Sequence, residues 1–218
     1  MYIKSTLVAS AFALCAFAAP LPADDCDDVG TASAVTAEQL IKIAPATASC
    51  SGADFPEECA DATSVAAAIN KSFETYKITS KGEQAALIAY MVFESGNFKY
   101  NKNHFPGRPG QGTRMMAMPP FVEKYATAIA GAEAVATAKA VGGDDGLKAV
   151  LALVNSNEEK AAGSAAWFLT STCTPEVRKG LEAETIDGWH NFLTQCVETT
   201  AAPERDPSWT AAKQALSG

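Results

Sequence analysis

Histidine is nearly absent from this chain: His104 and His190 are the only two in 218 residues. No C-x-x-C pair occurs either. Together these shortages remove the imidazole and thiolate sets from which zinc sites are built, so no metal site is expected. No cofactor is expected either. His104 and His190 themselves read as structural or exposed. Convincing alternation of apolar and polar residues is also lacking, which argues against a large sheet. No G-x-S-x-G stretch frames a serine nucleophile, and Ser95 reads as a helix-terminal hydrogen-bonding residue. After the first residues, no stretch approaches the ~18 to 20 uninterrupted apolar residues of a membrane span. Internal repeats and linker-like segments are missing too, which favours one domain.

Positive charge is in short supply, with 17 Lys and Arg against 25 Asp and Glu and a net charge of −8. Such a chain is not steered toward DNA or anionic membranes, so no nucleic acid and no membrane is expected as partner. A monomer is expected. The opening MYIKSTLVASAFALCAFAAPLPADD has Lys4, an apolar run and small residues around Ala16-Phe17-Ala18, the layout of a secretory signal peptide. Residues 1–19 are therefore read as signal peptide, 20–218 as a single catalytic domain, and the protein as secreted to the extracellular space. Of the six cysteines, Cys15 falls in the signal, leaving Cys26, Cys50, Cys59, Cys173 and Cys196. Their spacing suggests a short Cys50–Cys59 bridge and a helix-to-helix Cys173–Cys196 bridge, with Cys26 free, trimmed away or paired elsewhere. Asn70-Lys71-Ser72 satisfies the glycosylation sequon.

What the sequence has in abundance is helical periodicity and alanine, the strongest helix former. Helices are expected over 36–43, 64–77, 81–95, 119–130, 132–140, 146–154, 158–172, 174–183, 185–199 and 207–216. Thr36-Ala37-Glu38 and Thr174-Pro175-Glu176 look like caps, and Gly142 to Gly146 looks like a turn. Residues 97–116, NFKYNKNHFPGRPGQGTRMM, cannot be helical. A loop this long inside a compact domain is usually functional and is expected to hold a short hairpin or small β element. The fold class is thus mainly α, with a buried central helix and a long loop lining a cleft.

That helix, from Lys81, is apolar on every face after Gln84, and a carboxylate appears at its end, Glu94. Glu94 lies on the stripe of Leu87, Tyr90 and Met91. Desolvation and the negative end of the helix dipole both favour a retained proton, which is what a general acid requires. Tyr100, Asn101, Asn103, Gln111 and Arg114 in the loop offer amides, a cation and an aromatic face to a saccharide, with Tyr100, Asn101, Gln111 and Arg114 the substrate-binding candidates. Trp167, Trp189 and Trp209 read as core, and Met115, Met116 and Met118 as an anchor beneath the cleft.

Glu94-Ser95-Gly96-Asn97-Phe98 resembles the E-S-x-F stretch ending the catalytic helix of the lysozyme-like superfamily, especially soluble lytic transglycosylases and goose-type lysozymes. GQGTRMMAMPP from Gly110 is similar to that family's G-A-x-G-L-M-Q-I-M-P run, in register at Gly110, Met115, Met118 and Pro119. Thr113 stands in place of the second glycine and Met116 in place of a cleft glutamine, a contact Gln111 could take over. The segments AWFLTSTC and GWHNFLTQCVETT are similar to secreted fungal glycosidases of this kind. The resemblance covers about thirty residues and implies that Glu94 is the catalytic acid of a muramidase-like glycoside hydrolase. A second carboxylate, ~5 to 9.5 Å away in such enzymes, has Glu123, Asp144, Asp145 and Asp187 as candidates. The expectation is hydrolysis of β-1,4 linkages in an amino-sugar polymer, foremost peptidoglycan. A lytic transglycosylase, a chitin- or chitosan-directed enzyme, and a non-catalytic secreted carbohydrate-binding protein are the alternatives.

Overall fold

The computed structural model describes residues 34–217. The expected signal peptide and Cys26 lie outside them. Helices follow one another almost without strand: α1 (Ala37–Ile43), α2 (Ala62–Tyr76), α3 (Lys81–Glu94), α4 (Pro119–Ala130), α5 (Ala132–Lys139), α6 (Gly143–Val154), α7 (Glu158–Thr172), α8 (Pro175–Glu182), α9 (Ile186–Asn191) and α10 (Asp206–Ser217). The mainly α class expected from periodicity is what the chain adopts. Local chemistry explains the helix starts. Thr36 and Gln39 form a reciprocal capping box, and the side chains of Asp61, Ser80, Asn157, Thr174 and Thr185 each accept from an amide in the first turn. Each such cap is worth about 1 kcal/mol.

Two expected boundaries are corrected. The segment read as a turn at 142–146 already belongs to α6, which starts at Gly143 and carries Asp144 and Asp145 in its first turn, where the helix dipole favours carboxylates. The helix expected over 185–199 stops as an α-helix at Asn191 and continues as one π turn, Phe192–Cys196.

The core forms around α3. Every residue from Gly82 to Val92 is buried, with α10, α8 and α7 packed on it. Burial of each large aliphatic side chain there, such as Leu87, Ile88 or Met91, contributes roughly 1.5–3 kcal/mol. Gln84 is buried as well, its amide donating to the Ile78 carbonyl at 3.0 Å. Trp189 and Trp209 lie in this core, their rings stacked 6.4 Å apart, while Trp167 is half-buried between it and a smaller cluster on α4, α5 and α6. Both expected disulfides are present, Cys50–Cys59 and Cys173–Cys196.

Asn70 corrects an expectation. Its Oδ1 accepts from the Val35 amide and its Nδ2 donates to the Val35 carbonyl, both at 2.8 Å. Ser72 of the sequon is buried, its hydroxyl donating to Ile69. The amide nitrogen a glycan would need is already tying α1's entry to α2, so Asn70 is a structural residue.

Close approach of α3 to α8 is possible because residue 82 lacks a side chain: a Cβ there would overlap the Leu181 carbonyl. Gly82→Ala should therefore lower stability by about 1–3 kcal/mol, against the ~1 kcal/mol gain that alanine gives an unobstructed helix. Urea denaturation of the two proteins reads the sign directly.

Candidate functional site

Where α3 ends, the backbone turns through three consecutive residues of positive φ, Gly96 (58°), Asn97 (62°) and Phe98 (62°). Ser95 holds this reversal: its hydroxyl donates to the Met91 carbonyl at 2.6 Å and accepts from the Phe98 amide at 2.9 Å. It is the helix-terminal hydrogen-bonding residue that its position suggested. The sharp exit swings the following loop back across the end of α3 and leaves Glu94 at the wall of an open groove of about 290 Å³.

Glu94 is mostly buried, with a side-chain exposure of 19%. Its Oε1 accepts a hydrogen bond from Arg205 Nη1 at 2.7 Å. The guanidinium lies 4.2 Å from the centroid of the Phe93 ring, a cation–π contact that holds it in place. Burial pushes the Glu94 carboxyl up, and the Arg205 hydrogen bond and charge pull it only partly back, so it stays above its ordinary value. Arg205 is the functional neighbour that sequence reading missed. It comes from the 3-10 turn Pro203–Arg205 before α10, and no motif connects it to residue 94.

The opposite wall comes from residues 97–116. Two isolated antiparallel bridges, Lys102 with Gly112 and Gly112 with Ala117, are the small β element expected there. Gly112 permits it, since a Cβ would overlap the Asn101 carbonyl. Tyr100, Lys102, Asn103, His104 and Gln111 bring polar groups to the groove, while Phe93, Phe105 and Met116 bring apolar surface. Tyr100 donates its hydroxyl to Asp54 at 3.1 Å, and Gln111 Nε2 donates to the Met116 carbonyl at 3.0 Å.

Two expected ligand contacts are corrected. Arg114 is 1% exposed and does not line the groove; it donates to the carbonyls of Phe98 and Tyr100 at 3.0 Å and forks onto both carboxylate oxygens of Glu158 at 2.8 and 2.6 Å. Asn101 is also buried, and its carbonyl accepts from Thr113 and Asn155. Both are internal braces of the loop. Of the methionines, Met115 is a buried anchor, whereas Met116 lines the groove and Met118 is exposed. Of the carboxylates expected opposite Glu94, none lines the groove. Glu123 pairs with Lys139 and Asp145 with Lys148, while Asp144 and Asp187 are exposed.

A different carboxylate organises this wall. Glu58 is almost fully buried, with Oε2 accepting from the amides of Asn101 and Lys102 at 3.2 and 3.3 Å. Its Oε1 sits 3.0 Å from Lys102 Nζ and 2.9 Å from His104 Nε2. His104, in turn, stacks on Phe55 with ring centroids 3.6 Å apart. Burial pushes the Glu58 carboxyl up, but the hydrogen bonds from Lys102, Asn101 and His104 outweigh it and hold the group below its ordinary value. Its neighbour Cys59 in a short disulfide loop was the one available sequence signal that this acid is held in place.

Comparison with known proteins finds one relative of note. Over 153 residues, 66% of this chain, it is 34% identical to a bifunctional dioxygenase (DOX)-epoxy alcohol synthase (EAS) of Fusarium oxysporum strain Fo5176. The chain spans about a tenth of that relative's length, 11%. No protein-family model and no solved structure matches. The match to an oxygenating enzyme overturns the reading of this chain as a peptidoglycan-cleaving hydrolase or muramidase. The geometry explains why the short motif misled: Glu94 closes an ion pair with Arg205, and no second acid faces it from the groove lining.

Because the folded state holds Glu58 as an anion more firmly than the unfolded chain does, its contribution to stability is complete above the ordinary value of 4.5 and is lost as pH falls through the lower folded value. Glu58→Gln should cost about 2 kcal/mol at pH 7, with the gap to the parent protein closing below pH 4.5. Denaturant titrations from pH 7 to 3 measure that gap.

Proposed function

We propose that this chain is a ligand-holding domain of an oxidative enzyme system and that its groove takes a neutral, oxygenated small molecule. The carrying observation is the lining itself. Each cation at the groove sits on a carboxylate, Arg205 on Glu94 and Lys102 on Glu58, so the local charge is balanced and an ionic ligand gains little. Of the two carboxylate oxygens of Glu94, only Oε1 has a hydrogen-bond partner among the described residues. Oε2 is left to accept from a ligand hydroxyl. Lys102 and Gln111 on the facing wall offer donors to an ether or epoxide oxygen, and Phe93, Phe105 and Met116 give a carbon skeleton somewhere to rest.

The name of the relative supports this ligand class, since the hydroxyl and the strained ether of an epoxy alcohol are both uncharged groups that accept hydrogen bonds. It also supports an enzymatic setting. Oxygen chemistry is carried by groups such as haem, flavin, copper or iron, and the donor set described here does not fit a metal. No three His, Cys, Asp or Glu side chains converge among the described residues, both histidine Nε2 atoms are engaged by carboxylates, and the four described cysteines form disulfides. The proposed role therefore contains no oxygenation step. Two disulfides favour passage through an oxidising compartment, and with it secretion.

Titrating the isotopically labelled protein with a short epoxy alcohol, and separately with the matching unoxygenated alkene, tests the reading by amide shifts. The epoxy alcohol should move Lys102, Gln111 and Met116, and Glu94→Gln should weaken its binding about tenfold, or ~1.4 kcal/mol. An equal response to the alkene, or shifts confined to other surfaces, would reject the proposal.

A further inference from the structure

The wall that faces Glu94 is not held by its own hydrogen bonds alone. Most of what fixes its first half comes from a single span, residues 49–60. The Ala60 amide donates to the Phe98 carbonyl at 3.0 Å, Lys99 Nζ reaches the Ser49 carbonyl, and Tyr100 bonds Asp54. Glu58 then gathers the backbone of Asn101 and Lys102 with the side chains of Lys102 and His104, and Phe55 stacks on His104. Yet this strap contains no helix or strand between positions 50 and 60. Its internal backbone bonds are two turns, Ala53 to Cys50 and Glu58 to Phe55. What gives it a shape is the covalent closure between Cys50 and Cys59.

We infer that the Cys50–Cys59 disulfide is a redox latch on the groove: closed, it presents Glu58 and Phe55 to the loop; opened, it frees the wall that holds the ligand. The reaction is thiol–disulfide exchange with a dithiol reductant, which gives two electrons and two protons to the bridge and becomes a disulfide itself. Cys50 and Cys59 then stand as two thiols and the S–S bond is gone. Two features single out this bridge. Both of its cysteines are half-buried, whereas the other bridge has a buried end at Cys196, so a thiolate reaches this one more readily. It also closes a separation of 9 residues against 23, so opening it releases less chain entropy and leaves the helical body standing.

The consequence for binding rests on the groove being the ligand site, but the latch has a readout that needs no ligand. Hydrogen exchange of the full chain, before and after mild treatment with dithiothreitol and in the C50S/C59S variant, follows the amides of Asn101 and Lys102 that donate to Glu58. Opening the bridge should speed their exchange at least tenfold, while core amides of α2 and α7, such as Ile69 and Leu169, keep their rates. Alkylation mapped by mass should mark Cys50 and Cys59 before Cys173 and Cys196. Unchanged exchange at Asn101 and Lys102, equal acceleration in α2 and α7, or the reverse order of alkylation each overturns the latch. In a chain that binds the epoxy alcohol, the same treatment should weaken binding; a chain that never binds it refutes the ligand class and leaves the exchange test to stand alone.

Discussion

A helix buried on every side can offer a charged side chain to a ligand only where it ends, and α3 is such a helix. From Gly82 to Val92 it has no face toward water. The first position after this run that can reach solvent is its last turn, and there the backbone dipole and the neighbouring apolar rings both disfavour a carboxylate. The ion pair from Arg205 makes that placement tolerable. The left-handed triplet at Gly96, Asn97 and Phe98 then turns the chain back, so that the loop becomes a wall facing the same carboxylate. Site and core are in this sense one construction: the packing that buries the helix also decides where its one accessible acid stands.

The loop shows how polar groups are managed when a wall has little regular structure. Arg114, inside the domain, satisfies two backbone carbonyls and one carboxylate; Glu58 satisfies two backbone amides and two cationic or imidazole side chains. They act as complementary hubs, one collecting acceptors and the other donors. Buried charges are tolerated only when paired and hydrogen-bonded, and both of these are. Lys102, paired with Glu58, and Gln111, Phe105 and Met116 are among the side chains that meet the groove.

Much of the helical frame was legible because its signals are local. Caps at Thr36 and Thr174, the continuous apolar run before Glu94, and the glycine- and proline-rich stretch after it each report on residues within a few positions of themselves. Both disulfides match the pairing that the cysteine spacing suggested, although spacing alone does not fix connectivity. The site was legible only in part. Glu94 reads as a desolvated acid from its surroundings in the chain, but Arg205, which converts it into half of an ion pair, lies 111 residues away and leaves no trace in any local pattern. Arg114 and Asn101 look like ligand contacts because polar loop residues usually face solvent, whereas here the loop folds over them. The lysozyme-like resemblance rests on about thirty residues, a local pattern that carries no information on what packs against Glu94 from elsewhere in the chain.

Arg205 reaches the chain end of α3 from just before α10, the helix that packs against α3. During synthesis, the acid at position 94 therefore emerges long before its cation, and a nascent chain must carry that acid through a stage in which nothing neutralises it. Until the late segment docks, the face of α3 that α10 covers and the carboxyl of Glu94 both lack their partners.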